Sequence, residues 1–270
     1  NVGTSKTVTI TPSYTGADVS NYSVTDHSTI TADVTAKALT VSGITASDKT
    51  YDGNAVATLN TGSVLYSGLI NGDTFSGTYT GAFNNANAGT SKTVTITPSY
   101  TGADVSNYSV TDHSTITADI AVKALTATAS ASNKTYDGTT TATTTLTFSG
   151  LVGSETLGQT VGSTFNNKNV GTGKTVTVNS ITLADGTGLA ANYSISPGQT
   201  TTADITAKSL TVSGITASNK TYDATTTATL NTGSVTYTGL VSGDDFNGTY
   251  TGAFSDKNVG TSKTVTITPS

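Results

Sequence analysis

Apolar and hydroxyl side chains alternate along most of this chain. Leu39 and Val41 alternate with Thr40 and Ser42, Val94 and Ile96 with Thr93, Thr95 and Thr97, and Ile116, Ala118 and Ile120 with Thr115, Thr117 and Asp119. A period of two is the signature of a half-buried strand. It predicts Thr on the solvent face and Val, Ile, Leu, Tyr and Phe inside. Between these runs, 55–59, 63–66 and 108–110 read as further strands. Phe75, Tyr79 and Phe83 share one side of a longer strand, with Gly77 and Gly81 between them. Gly43 interrupts the alternation and predicts a bulge. Pro98 predicts a strand end. Leu69-Ile70-Asn71-Gly72-Asp73 reads as a tight loop or a single helical turn, and Asp48 to Asn54 as a turn cluster.

The pattern repeats. Lys49-Thr50-Tyr51-Asp52-Gly53 returns as Lys134-Thr135-Tyr136-Asp137-Gly138 and as Lys220-Thr221-Tyr222-Asp223-Ala224, at spacings of 85 (136 − 51) and 86 (222 − 136). Asn21-Tyr22-Ser23 returns at Asn107-Tyr108-Ser109 and Asn192-Tyr193-Ser194, each followed by Asp33, Asp119 or Asp204. Residues 3–33 and 89–119 are identical, as are 1–13 and 258–270. With the boundary at the Lys before each opening strand, 37–122 and 123–207 are complete repeats, the latter the more divergent. Residues 1–36 are then the end of a preceding repeat and 208–270 the beginning of a third. A period near 86 is too long for a solenoid coil and suits a small β domain of seven or eight short strands. The expectation is an all-β array of sandwich or β-grasp-like domains, joined end to end as an elongated rod. The connector 121–125 contains no Gly or Pro, so little slack is expected there. The overlap of identical ends reads as a window on a longer array, and near identity between copies favours swapped pairing between neighbours.

Composition narrows the function classes. The chain has no Cys, Met, Trp or Arg, a single Glu (Glu155), 11% charged residues and a net charge of −5. Helix formers are scarce, and disulfides and thiolate metal clusters are excluded. A chain without Arg and with negative net charge is poorly suited to a phosphate backbone, so no nucleic-acid partner is expected. Nor does any apolar run approach the length of a membrane span. Low net charge with regularly spaced β-branched and aromatic residues argues against disorder.

The recurring residues are the candidate sites. Tyr51, Asp52, Gly53, Tyr136, Asp137, Gly138, Tyr222 and Asp223 read as a structural turn whose Asp bonds its own backbone while the Tyr packs on the domain end. The alternative is a carbohydrate-stacking platform. Tyr22, Tyr108 and Tyr193 read as core anchors at a strand start, similar to tyrosine corners. A cation at a domain junction would draw on Asp33, Asp119, Asp204, Asp73, or the pair Asp244 and Asp245. No Asp-x-Asp-x-Asp-Gly loop is present, so these read as hydrogen-bonded carboxylates, with no metal or other cofactor assigned. His27 and His113 lie beside Asp and Ser without a nucleophile elbow, and no enzyme activity is expected. Lys37 and Lys49 are candidates for an isopeptide crosslink.

The Lys-Thr-Tyr-Asp-Gly turn, the preceding Lys-Ala-Leu-Thr-Val and the closing Asn-Tyr-Ser with Thr-Ala-Asp resemble the YDG domain family. The resemblance implies tandem domains of very large secreted, filamentous-haemagglutinin-like bacterial surface adhesins. It implies an extracellular location and a non-catalytic stalk or fibre segment. The alternative is a repeat-borne binding module, contacting glycans or other copies of itself.

Overall fold

A computed structural model describes residues 1–269. The fold is all-β: among the described residues there are strands and three short 3₁₀ turns but no α-helix. No helix among them is long and apolar enough to cross a membrane. The chain divides into two compact units. One comprises Asn1–Leu125, Gly150–Leu157 and Asp185–Ser194, and the other Thr126–Ser149, Gly158–Ala184 and Ile195–Ser270. The units are not the sequence repeats, because the middle repeat is divided between them.

In the first unit a five-stranded sheet runs in the order Lys49–Thr50, Thr115–Ala121, Gly89–Thr101, Ser76–Phe83, Val56–Ala57. Its ladders are antiparallel except at the Lys49 edge, where Ile120 and Ala121 pair in parallel with Lys49 and Thr50. A three-stranded sheet, Tyr108–Thr111, Lys37–Ser42, Leu65–Ser67, supplies the other side of the core. Val41 and Ile44 pack with Ile96 of the long strand, ringed by Tyr66, Tyr79, Tyr100 and Val110. Alternation decides the faces: Val94, Ile96, Ala118 and Ile120 are buried, and the Thr residues between them are exposed. Ser76–Phe83 places Gly77, Tyr79, Gly81 and Phe83 on the inner face. A Cβ on Gly81 would lie 2.7 Å from Leu59 Cδ2, so the missing side chain makes room for Leu59. The unit also holds the antiparallel pair Gly3–Thr9 with Thr29–Val34 and the short parallel pair Lys123–Ala124 with Tyr193–Ser194.

The second unit repeats the larger sheet as Lys134–Thr135, Thr200–Thr206, Gly171–Asp185, Leu157–Phe165, Thr141–Ala142. Ala142, Phe165, Val176, Ala203 and Ile205 form its core, with Ala131 and Tyr136 packed against them. From the third repeat it holds Thr227–Ala228, Tyr250–Phe254 and Val265–Pro269 as a three-stranded sheet.

Three local readings are corrected. Pro98 does not end its strand, which continues to Thr101. Ile96 donates its N–H to Ser114 O, and residue 98 faces the same way, past the last pair with Thr115–Ala121 at Thr95. The donor that Pro lacks therefore falls where no strand needs it. Gly43, at φ 85, is no bulge; it lies where the chain leaves one sheet for another pair, Thr45–Ala46 with Leu59–Asn60. The run 55–59 is two short strands on different sheets, Val56–Ala57 and Leu59–Asn60.

The bulges lie at Gly3/Lys6, Gly89/Lys92 and Gly171/Lys174. Each contains a residue with positive φ, namely Ser5 (49°), Ser91 (48°) or Gly173 (57°). The N–H of that residue is taken by the carboxylate facing it on the closing strand: Ser5 by Asp33 (2.7 Å), Ser91 by Asp119 (2.7 Å) and Gly173 by Asp204 (2.8 Å). The Asp after Thr-Ala thus satisfies a donor that the bulge removes from the ladder.

Truncating Ile205, which is 1% exposed, to Ala is expected to cost about 2–5 kcal/mol. Chemical denaturation followed by tyrosine fluorescence measures it. An unchanged midpoint would show that the closing strand is not part of the core.

Candidate functional site: the junctions between repeats

The Tyr-Asp-Gly turn is built by its lysine. Lys49 Nζ donates to Asp52 Oδ1 (2.8 Å), Asn54 O (2.8 Å), Asn54 Oδ1 (3.0 Å) and Val56 O (3.2 Å), and lies 5.6 Å from the Phe83 ring centre. Asp52 Oδ1 also accepts the Asn54 N–H at 3.1 Å. Lys134 and Lys220 make the same set with Asp137, Thr139 and Thr141 and with Asp223, Thr225 and Thr227. The ammonium from Lys134 and the Thr139 amide hold the Asp137 carboxyl down to about 2. Asp223 is likewise held to about 2 by Lys220 and Thr225.

The turn points its tyrosine at the next repeat. In the first unit, Tyr51 is 5% exposed and donates to Glu155 Oε1 at 2.6 Å. Glu155 belongs to the middle repeat, and its Oε2 accepts the Tyr193 hydroxyl at 2.6 Å. The two rings meet edge to face, 5.4 Å apart at 81°. The Tyr193 oxygen in turn accepts the Val152 N–H at 2.9 Å. One carboxylate is thereby held by two tyrosines, one from each repeat. The hydrogen bond to Glu155, with burial second, pushes the Tyr51 hydroxyl up to about 12.

The second unit contains the corresponding tyrosine–carboxylate contact, with a lysine on the other carboxylate oxygen. Tyr136 donates to Asp244 Oδ2 at 2.6 Å, and Lys168 reaches Asp244 Oδ1 at 3.0 Å while lying 5.9 Å from the Tyr136 ring centre. The Tyr136 hydroxyl first, then Lys168, holds the Asp244 carboxyl below its usual range.

A second clasp uses the Asn of Asn-Tyr-Ser. Asn192, 1% exposed, accepts the Ala88 N–H at 2.8 Å and donates to Asn87 Oδ1 at 3.2 Å. Asn107 does the same to Val2 (3.0 Å) and Asn1 (3.3 Å). In each case the loop before the long strand of one repeat is held by the asparagine of the next.

Glycine completes the fit. Gly53 and Gly138 have φ 80 and 79, and a Cβ on either would lie 2.8 Å from the Cγ1 of Val152 or Val241. The residue must be left-handed and also leave space for the neighbour's valine. Ala224 stands at φ 63 in the third copy, a conformation that costs a non-glycine residue about 1–2 kcal/mol.

Among the predicted residues, Tyr51, Tyr136 and Tyr193 lie at these joints. Tyr108 is buried and donates to Asp73 Oδ2 (2.5 Å), its oxygen accepting the Ile70 N–H (3.0 Å). Tyr22 and Tyr222 are 74% and 56% exposed. Tyr51 is too enclosed to present a ring face to a sugar. Asp33, Asp119 and Asp204 serve the bulges, and Asp245 accepts Asn247 Nδ2 at 3.0 Å. No group of three acidic or His side chains that could hold a metal ion occurs among the described residues. Sequence reasoning missed Glu155, and it marked Asn107 and Asn192 as recurring without seeing that they hold the neighbouring repeat. A signal was present for the first, since Glu155 stands in register with Asp73 and Asp244.

These features define a class: a tandem-repeat β protein whose most recurrent residues join one repeat to the next. The family model for the YDG domain matches residues 35–118, 121–203 and 206–270. The chain belongs to the YDG domain family. Among curated proteins and among solved structures, no match was found.

Tyr51→Phe keeps the ring and removes one hydrogen bond to a carboxylate. It is expected to cost about 1.5–3 kcal/mol, read as a lowered unfolding midpoint; wild-type behaviour would show that the bond carries nothing. The pH dependence follows from the same proton. The folded state keeps the Tyr51 proton to about pH 12, while the unfolded chain releases it near its ordinary value of 10. Its contribution is full below pH 10 and is lost as pH rises toward 12. Asp137 acts at the other end of the scale, contributing above its usual range and failing as pH falls toward 2. Thermal melts of wild type and Tyr51→Phe from pH 8 to 12 should converge; parallel curves would refute the assignment.

Proposed function

We propose that this chain is a structural segment, the stalk or fibre portion of a very large secreted bacterial surface protein of the adhesin type. Its role is mechanical: to hold β domains in series outside the cell, with no catalytic step and no cofactor. The observation that carries this reading is where the recurrent residues are spent. Tyr51 and Tyr136 donate to carboxylates of the following repeat, and Asn192 takes a backbone N–H of the preceding one. A catalytic or ligand-binding family would place its recurring polar groups in an open cleft. Here they are consumed in joints. Hydroxyl-rich outer faces, few charges and no thiols suit an exposed, oxidising environment.

Single-molecule pulling on the chain tests the mechanical role. Each repeat is expected to resist and then release about 280–310 Å of chain, from a period near 86 residues at roughly 3.3–3.6 Å each. Featureless extension at low force would overturn the reading. So would specific glycan binding abolished by substituting the Tyr-Asp-Gly tyrosines.

A further inference from the structure

The opening and closing segments of each complete repeat run side by side in the same direction. In the first, Lys37 to Thr40 pair in parallel with Tyr108 to Thr111, and Lys49 and Thr50 pair in parallel with Ile120 and Ala121. Both pairings keep one offset, 71 (108 − 37 and 120 − 49). Asp48 keeps it too, accepting the Asp119 N–H on its Oδ1 at 2.7 Å. Tyr51 continues the ladder by donating its N–H to Ala121 O at 2.9 Å. The middle repeat follows the same plan. Lys123 and Ala124 pair with Tyr193 and Ser194, Lys134 and Thr135 pair with Ile205 and Thr206, and Asn133 Oδ1 accepts the Asp204 N–H at 2.7 Å.

Parallel neighbours need a crossover connection, and here the rest of the repeat supplies it. The chain therefore enters the pair at one end and leaves it at the other. Tension along the chain pulls the opening segment backwards and the closing segment forwards, both along the strand axis. The bonds between parallel strands are evenly spaced along them, so this load falls on all of them together. A load applied at one end of the same pair would instead open its bonds one after another.

We infer that this parallel opening–closing pair is the load-bearing clamp of each repeat, and that the clamp of the middle repeat is the weaker and yields first. A chain loaded to its limit then lengthens by the middle repeat while the first stays folded. The inference deepens the mechanical reading above and rests on it.

The two clamps differ in length. At the opening end the first repeat has four parallel pairs and the middle repeat two. The sequence supplies the reason. Where the first repeat has Asp112-His113, the middle one has Pro197-Gly198. Pro197 brings no N–H to a ladder. Gly198, at φ 114, donates its N–H to Val178 O at 2.9 Å, which commits the closing chain to the long strand Gly171–Asp185 instead of the opening one. The packing beneath agrees. Val41 of the first opening strand is 1% exposed in its core, and its counterpart is the smaller, half-buried Ala127.

Pulling the full chain through engineered cysteine handles tests this, since the sequence has no Cys of its own. Lys37, Thr40, Thr111, Val122 and Ala207 are all exposed, so Lys37→Cys, Thr40→Cys, Thr111→Cys, Val122→Cys and Ala207→Cys leave the core intact. Handles at 37 and 111 shear the first clamp. Handles at 40 and 111, which are paired residues, peel it from one end. The two variants should melt together, so a difference in force reports direction alone. The sheared pair is expected to survive about tenfold longer or more at equal load. Handles at 37 and 122 load the first repeat and those at 122 and 207 the middle one, which is expected to open at the lower force. Equal forces in shear and peel, or a first repeat that opens before the middle one, would overturn the inference and leave the mechanical role standing. A chain that resists in no direction would overturn both.

Discussion

One carboxylate shared between two repeats organises the joint. Glu155 offers two oxygens, and each takes a tyrosine hydroxyl at 2.6 Å, one from either side. A half-buried carboxylate left without donors would be costly. With both oxygens satisfied, the same group ties the start of one repeat to the Tyr-Asp-Gly turn of another. The turn must be rigid for this to work, and Lys49 makes it so by closing four acceptors around one ammonium. A Cβ on Gly53 would lie 2.8 Å from Val152 Cγ1, so the bare backbone there lets the neighbour's valine approach.

The same economy governs the interior of each repeat. A bulge three residues into the long strand frees one N–H from the ladder, and the Asp of the closing strand accepts it. Ser5 and Ser91 bear the left-handed conformation at that point, whereas Gly173 in the middle repeat adopts it without strain. Closing strand, bulge and turn are coupled, because Tyr51 and Tyr136 donate their backbone N–H groups to Ala121 and Thr206 at the end of that strand.

Much of this is legible in the sequence. The alternation of Val94 and Ile96 with Thr, and of Ala118 and Ile120 with Thr117 and Asp119, predicted the buried faces, because a strand's side chains can only alternate. The repeat arithmetic showed which residues recur and where each copy begins. Less legible were the places where polarity is spent locally against pattern. Pro98 reads as a stop, yet its lost donor falls on an unpaired side. Gly43 reads as a bulge, while the bulges sit after Gly3, Gly89 and Gly171. These outcomes depend on which neighbour a given N–H faces, and a linear pattern does not carry that.

The sequence by itself determined an all-β chain of tandem repeats and the identity of the residues that recur in it. Strand periodicity, scarce helix formers and copied motifs are properties of the chain in one dimension. Only the tertiary structure decided what the recurring residues are for. Tyr51 and Glu155 are 104 residues apart, as are Ala88 and Asn192. Whether a tyrosine closes its own domain, stacks on a ligand or grips the next repeat depends on which carboxylate the fold carries to it. Separations of that length are set by packing.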